Sequence, residues 1–352
     1  MRVKKEFLIR PISLILAILI ALLIGAVIFA IFGISPLGAY QLVLEGAIGN
    51  KHNISESMVI LIPLLLAGLG IGFAFKCGLW NIGAEGQLYM GAVGASFAAL
   101  YIAPPAPLHL VVIILFAFLA GGGWAAIAGV LKAKLGINEI LTTLMMNYVA
   151  IWITHYFVYG PWRALLEVNP QTDFFPMSAW LPILVPGTRL HTGLLLGIGG
   201  AIFMYVVFKY TRLGYAIKVV GVNPKAAQYS GINVSRTMII AMFISGGLAG
   251  LAGMGEVSGI HHYLRNGVYS ISPGYGYIAI GVALLGGLNA WGTVLSAIFF
   301  GGLLNGASFL RATYGLHAGS VFFLVGLIIM VLLARETLSG KLKTLGILRG
   351  RD

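Results

Sequence analysis

KYTRLGYAIKVVGVNPKAAQYSGINVSR, residues Lys209–Arg236, interrupts a chain that is otherwise almost continuously apolar. Its basic residues Lys209, Arg212, Lys218, Lys225 and Arg236 keep it out of the hydrocarbon, where each such charge is costly. It is too long for a tight turn and, with Ala216, Val219, Val220, Ala226 and Ala227, too apolar for a solvated tether. The Asn223-Pro224 pair predicts a helix start, because an Asn side chain caps the free N–H groups of a first turn and Pro fits that turn. A short helix here lies outside the bilayer and offers a small-residue face to a partner.

Outward from this stretch, composition sets the class. The 352 residues are 59% hydrophobic and 9% charged, against about 25% charged in a soluble domain. The chain therefore reads as an all-α polytopic membrane protein, one transmembrane domain over 1–352. Its 49 glycines suit helices that approach closely in lipid. The single cysteine, Cys77, excludes an intrachain disulfide or a multi-cysteine metal site. The net charge of +12 follows topology and predicts no nucleic-acid partner.

Ten runs are long enough to cross a hydrocarbon core of about 30 Å: Ile12–Phe32, Met58–Phe75, Gly86–Ile102, Leu108–Leu131, Ile140–Tyr159, Thr192–Phe208, Thr237–Gly255, Tyr275–Leu288, Thr293–Leu310 and Gly319–Ala334. Ten spans put both termini on one side. Of the 22 Lys and Arg residues, 17 then fall on the terminal side, and only Lys51, Arg163, Arg189, Arg265 and Arg311 fall opposite. That bias places both termini and the 209–236 loop in the cytoplasm. The basic start of the chain is followed by an apolar run longer than a signal-peptide core and by no cleavage site, so the first helix is read as uncleaved. The loop 160–191, with Pro161, Trp162, Pro176 and Trp180, is expected outside, along the interface. The second and seventh spans start on opposite sides, so any repeat pairing spans two to five with seven to ten is inverted.

A second stretch is PLLLAGLGIGFAFKCGLWNIGAEGQLYMGA, Pro63–Ala92. Gly78, Gly83 and Gly86 with Asn81, Glu85 and Gln87 argue against a continuous helix. Irregular backbone at membrane depth survives only where protein or a wet cavity satisfies it. Two arrangements fit: a broken helix lining a solute path, with Trp80 stacking on a flat ligand and Asn81, Glu85 and Gln87 bonding polar groups, or a cytoplasmic turn in which Glu85 caps the next helix. Asn147 and Thr143 lie one turn apart in an apolar helix. Asn147 either lines a pathway or makes an interhelical hydrogen bond, and Thr143 is its companion or bonds its own backbone. His261 and His262, adjacent and without carboxylates at ligand spacing, read as an outer loop and predict no metal. Glu256 reads as a hydrated or partner-facing residue at the outer end of its helix, and Tyr263, Tyr269, Tyr275 and Tyr277 as an interfacial belt.

GLWNIGAEGQ, INEILTTLMMNY at 137–148 and GYAIKVVGVNPKAAQYSGINV at 214–234, in that order, resemble the permease subunits of ATP-binding-cassette importers for nucleosides and simple sugars, in the group that includes ribose and branched-chain amino acid permeases. The resemblance implies a ten-helix, vitamin-B12-importer-like (type II) architecture in the cytoplasmic membrane of a prokaryote. It implies a cytoplasmic ABC ATPase, a second permease subunit expected to be a paralogue, and an extracytoplasmic substrate-binding lipoprotein. The loop 209–236 becomes the coupling loop, with Gly221, Asn223, Pro224, Ala226, Ala227 and Gly231 at its ATPase contact. Asn and Pro start the helix, the alanines form its face, and Gly231 ends it. Val222 stands where relatives often carry a polar or acidic residue, so no salt bridge is expected there. Lys218 and Lys225 are read as anchors at lipid headgroups.

No cofactor is expected in this chain, ATP-Mg being held by the partner. The sequence has no G-x-x-x-x-G-K-[ST] loop, and GGLNAWGT at 286–293 lacks the phosphate-reaching lysine. The rival readings are an ion-coupled secondary transporter of a small polar solute, for which only Glu85 is a candidate coupling group, and a membrane-embedded enzyme, which needs paired Asp or His residues inside helices. Through NIGAEGQ and EILTTLMMNY the chain resembles nucleoside permeases more than ribose-type ones, which implies a nucleoside as the solute.

Overall fold

A computed structural model describes residues 19–316 other than 21, 32, 103 and 266–270, together with residues 319, 323, 326, 327 and 330. The expected span Gly319–Ala334 and the start of Ile12–Phe32 lie largely outside the described residues. Among the described residues the chain is helical, with no strand beyond two isolated bridges.

The helices are α1 (Leu22–Ile31), α2 (Pro36–Ile48), α3 (Lys51–Lys76), α4 (Ala84–Tyr101), α5 (Leu108–Leu135), α6 (Glu139–Tyr159), α7 (Gly193–Tyr210), α8 (Arg212–Val222), α9 (Pro224–Tyr229), α10 (Val234–Glu256), α11 (Tyr275–Leu285) and α12 (Ala290–Tyr314). Among the described residues five are long and apolar enough to cross a membrane: α3, α5, α7, α10 with its extension to His261, and α12. The bent pair α1 and α2 makes a sixth if it is one broken span. The chain is thus a multi-pass membrane protein. α4 and α6 fall where spans are expected, whereas α11 stops at Leu285, three residues before the expected end.

Element ends follow local chemistry. α5 stops at Gly136, whose φ of +68° admits the left-handed turn in which the Ile137 N–H reaches Leu131 O at 3.3 Å. Two residues later Asn138 caps α6, its Oδ1 accepting from the Ile140 N–H at 2.9 Å. Lys132 and Glu139 close the turn with a 2.8 Å ion pair.

Two compact units divide the chain: residues 58–301, and residues 1–57 with 302–352. In the larger unit α3 and α10 are central, with 83% and 78% of their apolar windows buried, against 28% for α5 and 39% for α7. α4, α5 and α10 cross at glycines. A Cβ on Gly91 would lie 2.2 Å from Gly250, and one on Gly250 would lie 2.4 Å from Ala117 O, so only glycine lets these backbones meet. In the smaller unit Asn305 Nδ2 donates to Gly46 O at 2.7 Å and Asn53 O at 2.9 Å, tying the C-terminal half of α12 to α2 and the start of α3.

Candidate functional site

Between α3 and α4 the chain turns through residues 77–83, and this turn gathers most of the polar residues singled out above. Asn81, Glu85, Gln87, Thr143 and Asn147 are all at most 1% exposed, so the surroundings must satisfy their polar atoms. Asn81 Nδ2 donates to Gln87 Oε1 at 2.9 Å and to Ser245 Oγ of α10 at 2.8 Å. Asn81 Oδ1 accepts from Gln87 Nε2 and from the Gly83 N–H, both at 2.9 Å. Thr143 Oγ1 accepts the Ile82 N–H at 3.2 Å and donates to Glu139 O at 2.7 Å.

Asn147 bridges the turn from α6. Its Oδ1 accepts the Gly86 N–H at 2.8 Å, and its Nδ2 donates to Ile82 O at 2.9 Å and reaches the Tyr277 hydroxyl at 3.2 Å. Glu85 Oε2 accepts the Gly276 N–H at 2.7 Å, joining the first turn of α4 to the first turn of α11. The amides of Ile82, Gly83 and Gly86 are therefore satisfied by side chains of α6 and by Asn81, while those of Cys77, Gly78, Leu79 and Asn81 donate to backbone carbonyls. Trp80 is the exception among these residues: it is 50% exposed, with its ring 4.8 Å from that of Phe75.

Tyr277, read from sequence as belt, is instead a partner of Asn147, and Ser245 completes the Asn81 network from inside α10. The signal available for Ser245 is a hydroxyl inside the apolar stretch after Thr237; nothing in sequence pairs it with Asn81, 164 residues away. Cys77 is buried in the same turn, and burial pushes its thiol up to about 12. A neutral, inert thiol follows.

The 209–236 loop folds into α8 and α9. Asn223 caps α9, its Oδ1 accepting from Lys225 N at 3.0 Å and Ala226 N at 3.1 Å, with Pro224 in the first turn. Gly231, at φ +78°, lets the Ile232 N–H return to Ala227 O at 3.0 Å. The two alanines differ: Ala226 is exposed, whereas Ala227 is fully buried in the chain itself. Gly221 is also a packing residue, since a Cβ there would lie 2.0 Å from Lys76 O. The outward face carries Val222, 88% exposed, and Tyr229, 93% exposed.

At the other end of α10, a π-helical turn over Val257–His261 leads into a segment that pairs with the loop 160–191. The Phe175 N–H donates to His262 O at 2.8 Å, the Leu181 N–H to Ser258 O at 2.9 Å and the Thr172 N–H to Leu264 O at 3.1 Å. Trp180 stacks on His262 with ring centroids 3.8 Å apart. His191 is buried, its Nδ1 accepting the Gly193 N–H at 3.1 Å, and burial together with nearby His262 pushes it down to about 4. Glu256 is buried at 7% exposure, which corrects its reading as a hydrated residue. Among the described residues no cluster of His, Cys, Asp and Glu is arranged to hold a metal.

Apolar helices enough for several crossings define a multi-pass membrane protein, in which a polar break is stitched to three neighbouring helices and a two-helix elbow lies between α7 and α10. The chain belongs to the family described as the permease component of branched-chain amino acid transport systems, which matches residues 53–333. It is 34% identical to the guanosine ABC transporter permease protein of Bacillus subtilis over 94% of this chain and 96% of that one. It is also 34% identical to the glucose ABC transporter permease protein of Haloferax volcanii, over 92% of this chain and 87% of that one. Identity to the nucleoside ABC transporter permease protein of Lactococcus lactis is 32%, over 83% and 82%. No solved structure matches the chain.

Proposed function

We propose that this chain is a membrane-spanning permease subunit of an ABC importer that moves nucleosides, or related simple sugars, across the cytoplasmic membrane of a prokaryote. It has no ATPase chemistry of its own; ATP hydrolysis in a partner subunit drives it. The observation that carries the reading is the elbow α8–α9, capped by Asn223 and turned by Gly231, with Val222, Ala226 and Tyr229 outward. Exposed apolar side chains on a short rigid helix outside the spans suit docking to a soluble subunit. The contact face is then Val222, Ala226 and Tyr229, with Asn223, Pro224 and Gly231 shaping the helix and Gly221 and Ala227 seating it on the chain.

Both termini and the 209–236 elbow lie in the cytoplasm, and the 160–191 loop lies outside. Its exposed Leu165, Leu166 and Val168 suit a substrate-binding lipoprotein. Ten spans in a type II arrangement, partnered by a paralogous permease, complete the assembly. In support, α4 has 18 residues and α6 has 21, and at 1.5 Å per residue these are about 27 and 32 Å long. The solute passes Trp80. Asn81, Glu85, Gln87, Thr143 and Asn147 hold the turn that presents it.

In proteoliposomes containing the whole transporter, Ala226→Glu is expected to lower nucleoside uptake more than about tenfold, since an unpaired carboxylate at a docked interface costs more than the roughly 1.4 kcal/mol of that factor. Insertion and thermal stability of the chain stay unchanged. Wild-type uptake by a well-inserted Ala226→Glu protein contradicts the docking role of the elbow.

A further inference from the structure

The C-terminal ends of α3 and α7, the middle of α8 and the first turn of α12 enclose a cavity of about 300 Å³. Lys76, Lys209 and Lys218 all line it, with Phe208, Asn289 and Trp291. Three ammonium groups thus share one cavity, and among the described residues none of them meets a carboxylate. Lys76 Nζ lies 4.3 Å and Lys218 Nζ 5.8 Å from the centroid of the same Phe208 ring. Lys218 Nζ donates to Phe208 O at 2.7 Å, and Lys209 Nζ donates to the Tyr205 hydroxyl. Carbonyl, hydroxyl and ring faces orient these groups without neutralising them, and gathering like charges in one place costs energy unless an anion joins them. The first turn of α12 at the rim adds partial positive charge.

The surroundings select the kind of anion. Trp291 is 50% and Tyr210 69% exposed at the cavity level, the amphipathic side chains typical of a headgroup belt. Within two turns along the same helices, Phe203 and Val206 of α7 and Leu295 and Phe299 of α12 expose apolar surface. A phosphate held by the lysines therefore has hydrocarbon-compatible surface beside it.

We propose that this cavity binds the phosphate of an anionic phospholipid, whose acyl chains lie along α7 and α12. A lipid seated there touches the middle of α8 and so joins the membrane surface to the elbow. The site is independent of which solute the protein carries.

Native mass spectrometry of the full chain, titrated with phosphatidylglycerol, phosphatidylcholine or glycerol 3-phosphate, tests this. Phosphatidylglycerol is expected to bind at one saturable site in preference to phosphatidylcholine. Lys209→Gln and Lys218→Gln are each expected to weaken it roughly fivefold, the factor for one lysine near an anionic surface, while Lys134→Gln, outside the cavity, leaves it unchanged. Lys209 is exposed, so its variant keeps the fold and decides the matter if Lys218→Gln does not. Equal retention of the two lipids, or undiminished phosphatidylglycerol binding by Lys209→Gln, overturns the proposal. Displacement of the lipid by equimolar glycerol 3-phosphate overturns the lipid as source and leaves a site for soluble phosphate.

Discussion

Asn147 is the residue on which the polar break turns. An Asn inside an apolar helix is costly in lipid unless both ends of its amide are used. Here they are, on Gly86 N, Ile82 O and the Tyr277 hydroxyl. Asn147→Leu strips a buried N–H and a buried carbonyl of their partner, so a loss of about 1–3 kcal/mol is expected, read as a lower melting temperature of the purified chain. Uptake per folded molecule should change little. A variant as stable as wild type that has lost transport would place the Asn147 side chain on the solute path instead. The sequence alone held both alternatives open because it shows that an Asn is buried but not what it faces.

At the scale of elements, two designs carry the account, and they were legible to different degrees. The Asn223-Pro224 start and the Gly231 stop of α9 could be read directly, because caps and left-handed turns are encoded within four residues. Which alanine faces out could not, since Ala226 and Ala227 are identical in composition and only tertiary packing separates them. α2 starts in the same local way, with a Ser35-Pro36 cap and proline and with Ser35 Oγ accepting the Gly38 N–H at 3.4 Å. At 13 residues α2 is too short to cross the hydrocarbon as one straight helix, so span length carries no signal for it. The glycine crossing of α4, α5 and α10 was legible only as abundance of glycine. Gly250→Ala is expected to lower the yield and melting temperature of the folded chain, because its Cβ would sit 2.4 Å from Ala117 O and 3.1 Å from Gly121. Gly123→Ala, on the facing helix α5 with nothing within 4 Å of the added carbon, should be neutral or gain up to about 1 kcal/mol in helix propensity. Equal effects from the two would refute the close crossing.

For the whole molecule, topology links the charge count to the proposed direction of transport. Leu166 is 99% exposed and Ser230 is exposed, while the native thiol of Cys77 is buried and held neutral, so it adds no background. Leu166→Cys and Ser230→Cys should react with an impermeant maleimide from opposite sides, the first from outside and the second from inside. Labelling of both from one side would remove the elbow from the cytoplasm.

The central claim is that transport is driven through the elbow by a partner ATPase. The direct measurement is nucleoside uptake into proteoliposomes holding this chain with its partner permease, ATPase and binding protein, with ATP or an ion gradient supplied separately. Uptake that requires ATP, ignores proton and sodium gradients and fails with Ala226→Glu is the predicted result; uptake by the permease driven by an ion gradient without the ATPase would contradict it.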